Sequence, residues 1–260
     1  MQGVTRFFKE SVVNLPIKPA GRYNARMSKP ATWVTLLVVG LLAGLGIYLY
    51  RAFQPTASRG MDVRGWISNG VSDPAALIHA GERCGDAPFI YPTDGLIGFI
   101  WGDSFRPGNE HQGLDIFGGT DVGITPVVAA YDGYLTRLPE WKSSVIMRVP
   151  DDPLQPGRQI WLYYTHMATR EGSSYIVAEF PPGTTEAFVP AGTLLGYQGN
   201  YSGDPNNPTG VHLHFSIVRD DGTGKFLNEL KIANTLDPSP YFNMPLNADE
   251  NRDKIPVCEP

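Results

Sequence analysis

A chain of 260 residues with 42% hydrophobic content can bury a full core, which excludes an intrinsically disordered protein. Its 29 Gly and 23 Pro suit many turns and short strands better than long helices. The formal net charge is −5, and beyond residue 50 no basic patch stands out, which argues against nucleic acid as a partner.

The chain opens on a basic leader, residues 1–30, with six Lys or Arg and one acid, Glu10. Residues 31–50, "ATWVTLLVVGLLAGLGIYLY", carry no charge. A helix of that length spans roughly the 30 Å of a hydrocarbon core. Trp33, Tyr48 and Tyr50 lie near its ends, where aromatic belts form. The positive-inside rule then predicts a single-pass anchor with a cytoplasmic N-terminus and an extracytoplasmic remainder. A cleaved signal peptide fits less well: leader and apolar run are both long for one, and no A-x-A site follows. No Cys lies just after the run, which argues against a lipoprotein. Gly40 and Gly44 form a lone GxxxG, a weak signal for helix pairing.

Beyond the anchor remain 15 basic and 25 acidic residues. Residues 51–85 read as a tether with little apolar periodicity, within which "SDPAALIHAGERCG" is compatible with a short helix. Residues 86–245 read as one mainly antiparallel β domain. The segments "LIGFIWG", "PVVAAYDGYLTRL", "SSVIMRV", "QIWLYYTHM", "TLLGYQG" and "VHLHFSIV" are its predicted strands. Residues 204–210, "DPNNPTG", are a loop by composition, and 168–190 is long enough for a wall or lid. Residues 246–260 read as a polar tail. Cys84 and Cys258 both lie in the outer part and can pair in an oxidising compartment. Two free thiols are equally compatible with the sequence.

There are five histidines. His212 and His214 sit in "GVHLHFSIV", where Val211, Leu213, Phe215 and Ile217 alternate with polar positions. On a strand the two imidazoles share a face, roughly 6.5 Å apart. Upstream, "EHQGLDIFG" carries His111 and Asp115, which on a straight strand would be about 13 Å apart. Gly113 between them permits a bend. Zinc ligands sit about 2 Å from the ion, and a His, an Asp and one further His leave the fourth tetrahedral position open, as catalytic sites do. His166 ends the predicted strand in "WLYYTHMAT". His79, in "ALIHAGE", precedes the domain and has no motif around it.

In this order the blocks resemble the lysostaphin/LytM-type zinc endopeptidases, metallopeptidase family twenty-three. "FIYPTDGLIGFIWGDSFR" looks like the family's lead-in, ending at Arg106. "HQGLDI" is similar to its H-x-G-x-D, "GITPVVAAYDGYL" to its G-T-P-V-x-A-x-x-x-G, and "YYTHM" to its Y-x-H-L/M. "FVPAGTLLGYQGN" resembles V-x-x-G-x-x-I-G-x-x-G, and "TGVHLHFSI" resembles T-G-x-H-L-H-F-E, with Ser216 where the family usually has Glu. The match runs from about 87 to 218. The resemblance implies an antiparallel β-sheet domain with a substrate groove, of the duplicated-hybrid-motif type. It implies that His111, Asp115 and His214 hold Zn2+, and that His166 and His212 sit beside the reacting water and carbonyl. Spacing does not distinguish His212 from His214 as the ligand. The implied substrate is a peptidoglycan peptide. The long loops at 168–190 and 201–209 are expected to flank the groove and set its specificity.

The chemistry is consistent with this. Zinc lowers the pKa of bound water from ~15.7 to ~7 and polarises carbonyls. No HExxH is present, so imidazoles are left for base work. We assign His212 to orienting or deprotonating the water and His166 to the developing oxyanion, roles that can be exchanged. Tyr163 or Tyr164 is a further donor. Two rivals are a catalytically weak scaffold that activates another cell-wall hydrolase, and a cupin-like metal domain. The scaffold usually lacks some ligands, and all are present here. The cupin wants a Glu where this chain has Val218 and Arg219.

Overall fold

A computed structural model describes residues 30–69, 74–103, 110–251 and 254–259. The chain divides into two units, one ending at Gly46 and one beginning at Ile47. The described part of the first is helical, the start of α1 (Pro30–Asn69). The window Trp33–Tyr50 of that helix has a mean hydropathy of 2.0 and exposes its side chains. Among the described residues it is the one helix long and apolar enough to cross a membrane. The basic leader used to orient it, residues 1–29, lies outside the described residues, as does Arg106.

The second unit is mainly antiparallel β-sheet. Its strands are β1 (Leu77–Ile78), β2 (Gly95–Phe99), β3 (Leu114–Phe117), β4 (Pro126–Val128), β5 (Gly133–Thr136), β6 (Val145–Val149), β7 (Ile160–Thr165), β8 (Ala187–Val189), β9 (Leu194–Tyr197), β10 (Leu213–Arg219) and β11 (Thr235–Leu236). A short helix, α2 (Ser239–Phe242), follows. The main sheet has the order β1-β2-β3-β10-β7-β6-β5-β8, with β11 also on β10, and β4 pairs with β9 in a second ribbon. Every pairing between these strands is antiparallel.

Alternation decides the two faces of β10. Leu213, Phe215 and Ile217 are fully buried and meet Leu114 and Ile116 of β3 and Leu162 and Tyr164 of β7 in the main core. Each large apolar side chain so buried contributes about 1.5–3 kcal/mol. The other face carries His214 and Ser216, then Val218, which packs with Ile146 and Trp161 in a small second cluster. The register places His214 opposite Asp115 on one side and Thr165 on the other. Long-range pairing thus sets the site on the polar face of the central strands.

The stretch read as a tether is more ordered than its composition indicates. Residues 51–69 continue α1, and Val63 is buried against Gly98 and the Phe117 ring. Low apolar periodicity denies a helix a broad buried face without forbidding the helix itself. The short helix expected near residue 75 is a 3-10 turn, Pro74–Ala76, because Leu77 and Ile78 pair with β2 instead. Ile78 and Cys84 belong to the core.

The polar tail is also tied down. Leu246 is fully buried, the Ala248 amide donates to the Trp101 carbonyl at 2.8 Å, and Asn247 Nδ2 donates to Asp237 Oδ2 at 2.6 Å. Cys84 and Cys258 form a disulfide across a sequence separation of 174. In the chain-entropy model a loop of that length is worth about 5 kcal/mol at most. Replacing both cysteines by Ala is expected to lower the urea midpoint in detergent accordingly. An unchanged midpoint would show that the clamp adds nothing.

Candidate metal centre

His111 is held before it reaches the site. Its amide donates to the Asp103 carbonyl at 2.6 Å, and its carbonyl accepts the Gly102 amide at 2.8 Å. Its ring Nδ1 lies 3.0 Å from the Ile100 carbonyl, which can only accept, so Nδ1 carries the proton. The other nitrogen, Nε2, is then aimed at Asp115 Oδ1 at 3.0 Å and at His214 Nδ1 at 3.1 Å. The separation expected of a straight strand is cancelled at Gly113, where the chain bends just before β3. Gly113 has a second reason to be glycine: a Cβ there would lie 2.1 Å from the Phe215 carbonyl oxygen. Gly113→Ala is therefore expected to push β3 off β10, destabilise the domain by roughly 2 kcal/mol or more and weaken metal binding together. Thermal melting beside metal content checks this, and wild-type values for both would contradict it.

Asp115 and His214 face each other across β3 and β10, and His214 Nδ1 is 2.8 Å from Asp115 Oδ1. The back of the His214 ring is held by Ser216, with Nε2 2.8 Å from Oγ. Ser216 thus supplies a hydroxyl that orients the imidazole. Such supporting partners typically cost ~10- to 100-fold in metal affinity when removed. Ser216→Ala is expected to do so in a zinc competition titration, and unchanged affinity would assign Ser216 to packing alone.

His212 precedes β10. Its amide donates to the Gly199 carbonyl at 3.2 Å, and its Nδ1 donates to the Gly210 carbonyl at 2.7 Å. Its Nε2 stands 3.4 Å from Asp115 Oδ1, and its ring stacks on Phe117 with centroids 5.0 Å apart. His166 follows the end of β7 with φ 73°, a left-handed conformation uncommon for a side chain of this size. It is fixed there by its own carbonyl, which accepts the Ala168 amide at 2.8 Å, and by Nδ1 donating to the Tyr201 carbonyl at 2.6 Å. Its ring centroid lies 4.5 Å from that of His212 and 6.1 Å from that of His214.

His111 Nε2, Asp115 Oδ1 and His214 Nδ1 lie within 4.8 Å of one another. With Nδ1 of His111 protonated and Ser216 accepting from His214, three acceptors converge. Such an arrangement is unfavourable unless a proton or a cation lies between them. Two imidazole nitrogens and a carboxylate oxygen are a donor set that fits zinc. The electrostatics agree. Burial works to raise the Asp115 pKa, but His111 and His212 outweigh it and hold the carboxyl well below its ordinary range. Burial works to lower that of His111, but the charge and hydrogen bond of Asp115 raise it. Burial lowers that of His214, only partly offset by Asp115. Burial, then the neighbouring His212 and His214, push His166 down to about 3, so it is neutral at neutral pH.

The five residues singled out from the sequence, His111, Asp115, His166, His212 and His214, line one groove of about 450 Å³. Its floor is hydroxyl-rich: Ser144, Tyr163 and Thr165, with Tyr163 Oη donating to Ser144 Oγ at 3.0 Å. Tyr201–Gly203 and Thr209 also line it, as expected of the 201–209 loop. The 168–190 loop supplies none of the described lining residues. It buttresses the wall from behind, with Arg170 bonded to the Pro205 carbonyl and Gly172 close to the Tyr201 ring. The other wall comes from Glu229 and Leu230, joined to the site by Gln112 Nε2 donating to the Leu230 carbonyl at 3.2 Å. The sequence reading missed these two, which belong to no motif. Tyr164 is excluded as a groove donor: alternation turns it into the core, where its hydroxyl accepts the Ala130 amide at 2.9 Å. His79 lies apart, 3.6 Å from Asp94 and exposed.

The fold and the site together describe a mainly antiparallel β-sheet protein with a His–Asp–His cluster able to bind a metal at the floor of a groove. No family model matches the chain, and no curated protein matches its sequence. Solved structures of M23- and LytM-type proteins are similar to it at low identity. A Ruminococcus gnavus protein provisionally named a glycyl-glycine endopeptidase lytM is 23% identical over 55% of this chain and 49% of its own, with TM-score 0.33. A catalytic-domain mutant of the prophage-encoded M23 protein EnpA from Enterococcus faecalis is 22% identical over 60% and 97%, with TM-score 0.35. Helicobacter pylori Csd3 is 17% identical over 65% and 35%, with TM-score 0.33. The chain thus spans about half the length of the first and about a third of the last.

Proposed function

We propose that this chain is a membrane-anchored zinc endopeptidase that hydrolyses amide bonds in peptidoglycan peptides. The observation that carries the reading is the convergence of His111 Nε2, Asp115 Oδ1 and His214 Nδ1, with His166 and His212 beside them in an open groove. His111, Asp115 and His214 hold the ion. When bound, zinc supplies Lewis acidity, lowering the pKa of water and polarising a carbonyl.

The remaining work falls to the chain's own side chains. The hydrogen bonding of His166 supports exchanging the two imidazole roles. With Nδ1 donating to Tyr201, its Nε2 offers a lone pair, and it takes the proton of the attacking water. His212 has oxygens facing both ring nitrogens, Gly210 O and Asp115 Oδ1, and serves as donor to the developing oxyanion. The floor hydroxyls orient an extended peptide. The apolar helix at Trp33–Tyr50 supports the anchor, and the disulfide supports an extracytoplasmic, oxidising location for the domain.

The test is a zinc titration of the full-length protein in detergent, followed by digestion of purified sacculi and mass analysis of the fragments. One zinc per chain and new amine termini in the fragments are expected. Zinc binding without hydrolysis would favour the scaffold reading. A reporter fused after Arg51 should report an extracytoplasmic location, and a shortened soluble mature form would remove the anchor from the proposal.

A further inference from the structure

Among the described residues, Glu229 is the one acidic side chain lining the groove besides Asp115, and no motif or catalytic role uses it. It is half-buried beside Tyr163, and its charge is felt at that phenol. Among the described residues it makes no ion pair. Lys142 sits over the Tyr201 ring, 5.9 Å from its centroid. A carboxylate partly withdrawn from water and left without a counter-charge is destabilising unless a ligand supplies the charge. Burial holds its pKa above the ordinary carboxylate value, the direction expected where a counter-charge is missing. A second unmet polar group lines the same groove: Thr209 Oγ1 is buried and has no hydrogen-bond partner. The other groove side chains near Glu229 are neutral, with hydroxyls on Ser144 and Tyr163 and an amide on Gln112.

We infer that Glu229 is a specificity-determining residue that takes a positively charged primary amine of the bound peptide. The groove accordingly prefers peptides that carry such an amine over neutral ones of the same length. The inference rests on the reading of this groove as a peptide site. The amine can be a free N-terminus or the side chain of a diamino acid. Both present the same ammonium, three donors around one charge, to a carboxylate that accepts.

The experiment uses full-length protein in detergent micelles and four versions of one short glycine–alanine–lysine peptide: both amines free, either one acetylated, and both acetylated. Initial rates on the zinc-loaded protein give kcat and KM. Calorimetry on the same protein after chelation gives affinity independently of turnover. The free-amine peptide should bind about 10- to 100-fold more tightly than the doubly acetylated one, the usual worth of a charged hydrogen bond. Glu229→Gln should erase that preference, with the loss falling on KM and on the affinity for the free-amine peptide rather than on that for the doubly acetylated one. The singly acetylated peptides show which amine is read. Equal affinity for all four peptides, no measurable binding of the free-amine peptide, or an unaltered preference in Glu229→Gln would each overturn the inference. Amine-selective binding that depends on Glu229, with no hydrolysis of any peptide, would sustain it while removing the endopeptidase reading. Hydrolysis of all four at equal kcat/KM would do the reverse.

Discussion

Asp115→Ala and His214→Ala should each yield a protein without stoichiometric zinc and without measurable hydrolysis. Two protein ligands hold zinc poorly, and metal binding here needs deprotonated donors already converged. Asp115 is the more severe loss because its Oδ1 lies within 3.0 Å of a nitrogen of both His111 and His214. Asp115→Asn keeps the shape and loses the charge, so it separates coordination from packing. Without metal the same residue has a stability signature. Its pKa is depressed in the folded protein, so its stabilisation is present above the ordinary carboxylate value and is lost as pH falls through the depressed one. Metal-free Asp115→Asn should therefore melt lower than wild type at neutral pH, with the gap closing only in strong acid. Stoichiometric zinc in purified His214→Ala would mean that the ligands are wrongly assigned. An equal melting deficit at all pH values would assign Asp115 to packing rather than charge.

The second large effect separates holding the metal from moving protons. His166→Ala and His212→Ala should both retain zinc. Loss of a general base typically costs about 10² to 10⁴ in rate, and loss of an oxyanion donor about 10² to 10³. His166→Ala should fall in the first range and His212→Ala in the second. The double variant should be far less than additive, because both act on one transition state. Burial holds His166 neutral down to a pKa of about 3, so its removal should not shift an acid limb of the rate profile near neutrality. Metal content and kcat measured on the same preparations decide the matter. Full activity of His212→Ala, or loss of zinc along with it, would refute the division of labour.

Much of this molecule is legible in local pattern. The alternation of Leu213, Phe215 and Ile217 with His214 and Ser216 defined a half-buried strand, and the structure puts those apolar residues in the core. The charge-free run at 31–50 defined the apolar helix. Side-chain period and hydrophobic length are properties of neighbours along the chain, so a single sequence contains them. The histidines and Asp115 were nameable as donors because few other side chains offer that chemistry.

What the tertiary structure decided depends on strands far apart in sequence. His111 and Asp115 meet because Gly113 lets the chain bend and lie against the Phe215 carbonyl, a contact between residues about a hundred positions apart. Between the two histidines, only the register of β10 against β3 sets His214 opposite Asp115 and leaves His212, just before the strand, beside it. The pairing of Cys84 with Cys258, the buttressing role of the 168–190 loop and the wall made by Glu229 and Leu230 are of the same kind. None has a local period or a characteristic spacing. Each is fixed by which loops the antiparallel pairings bring together, and that closure is a property of the whole sheet.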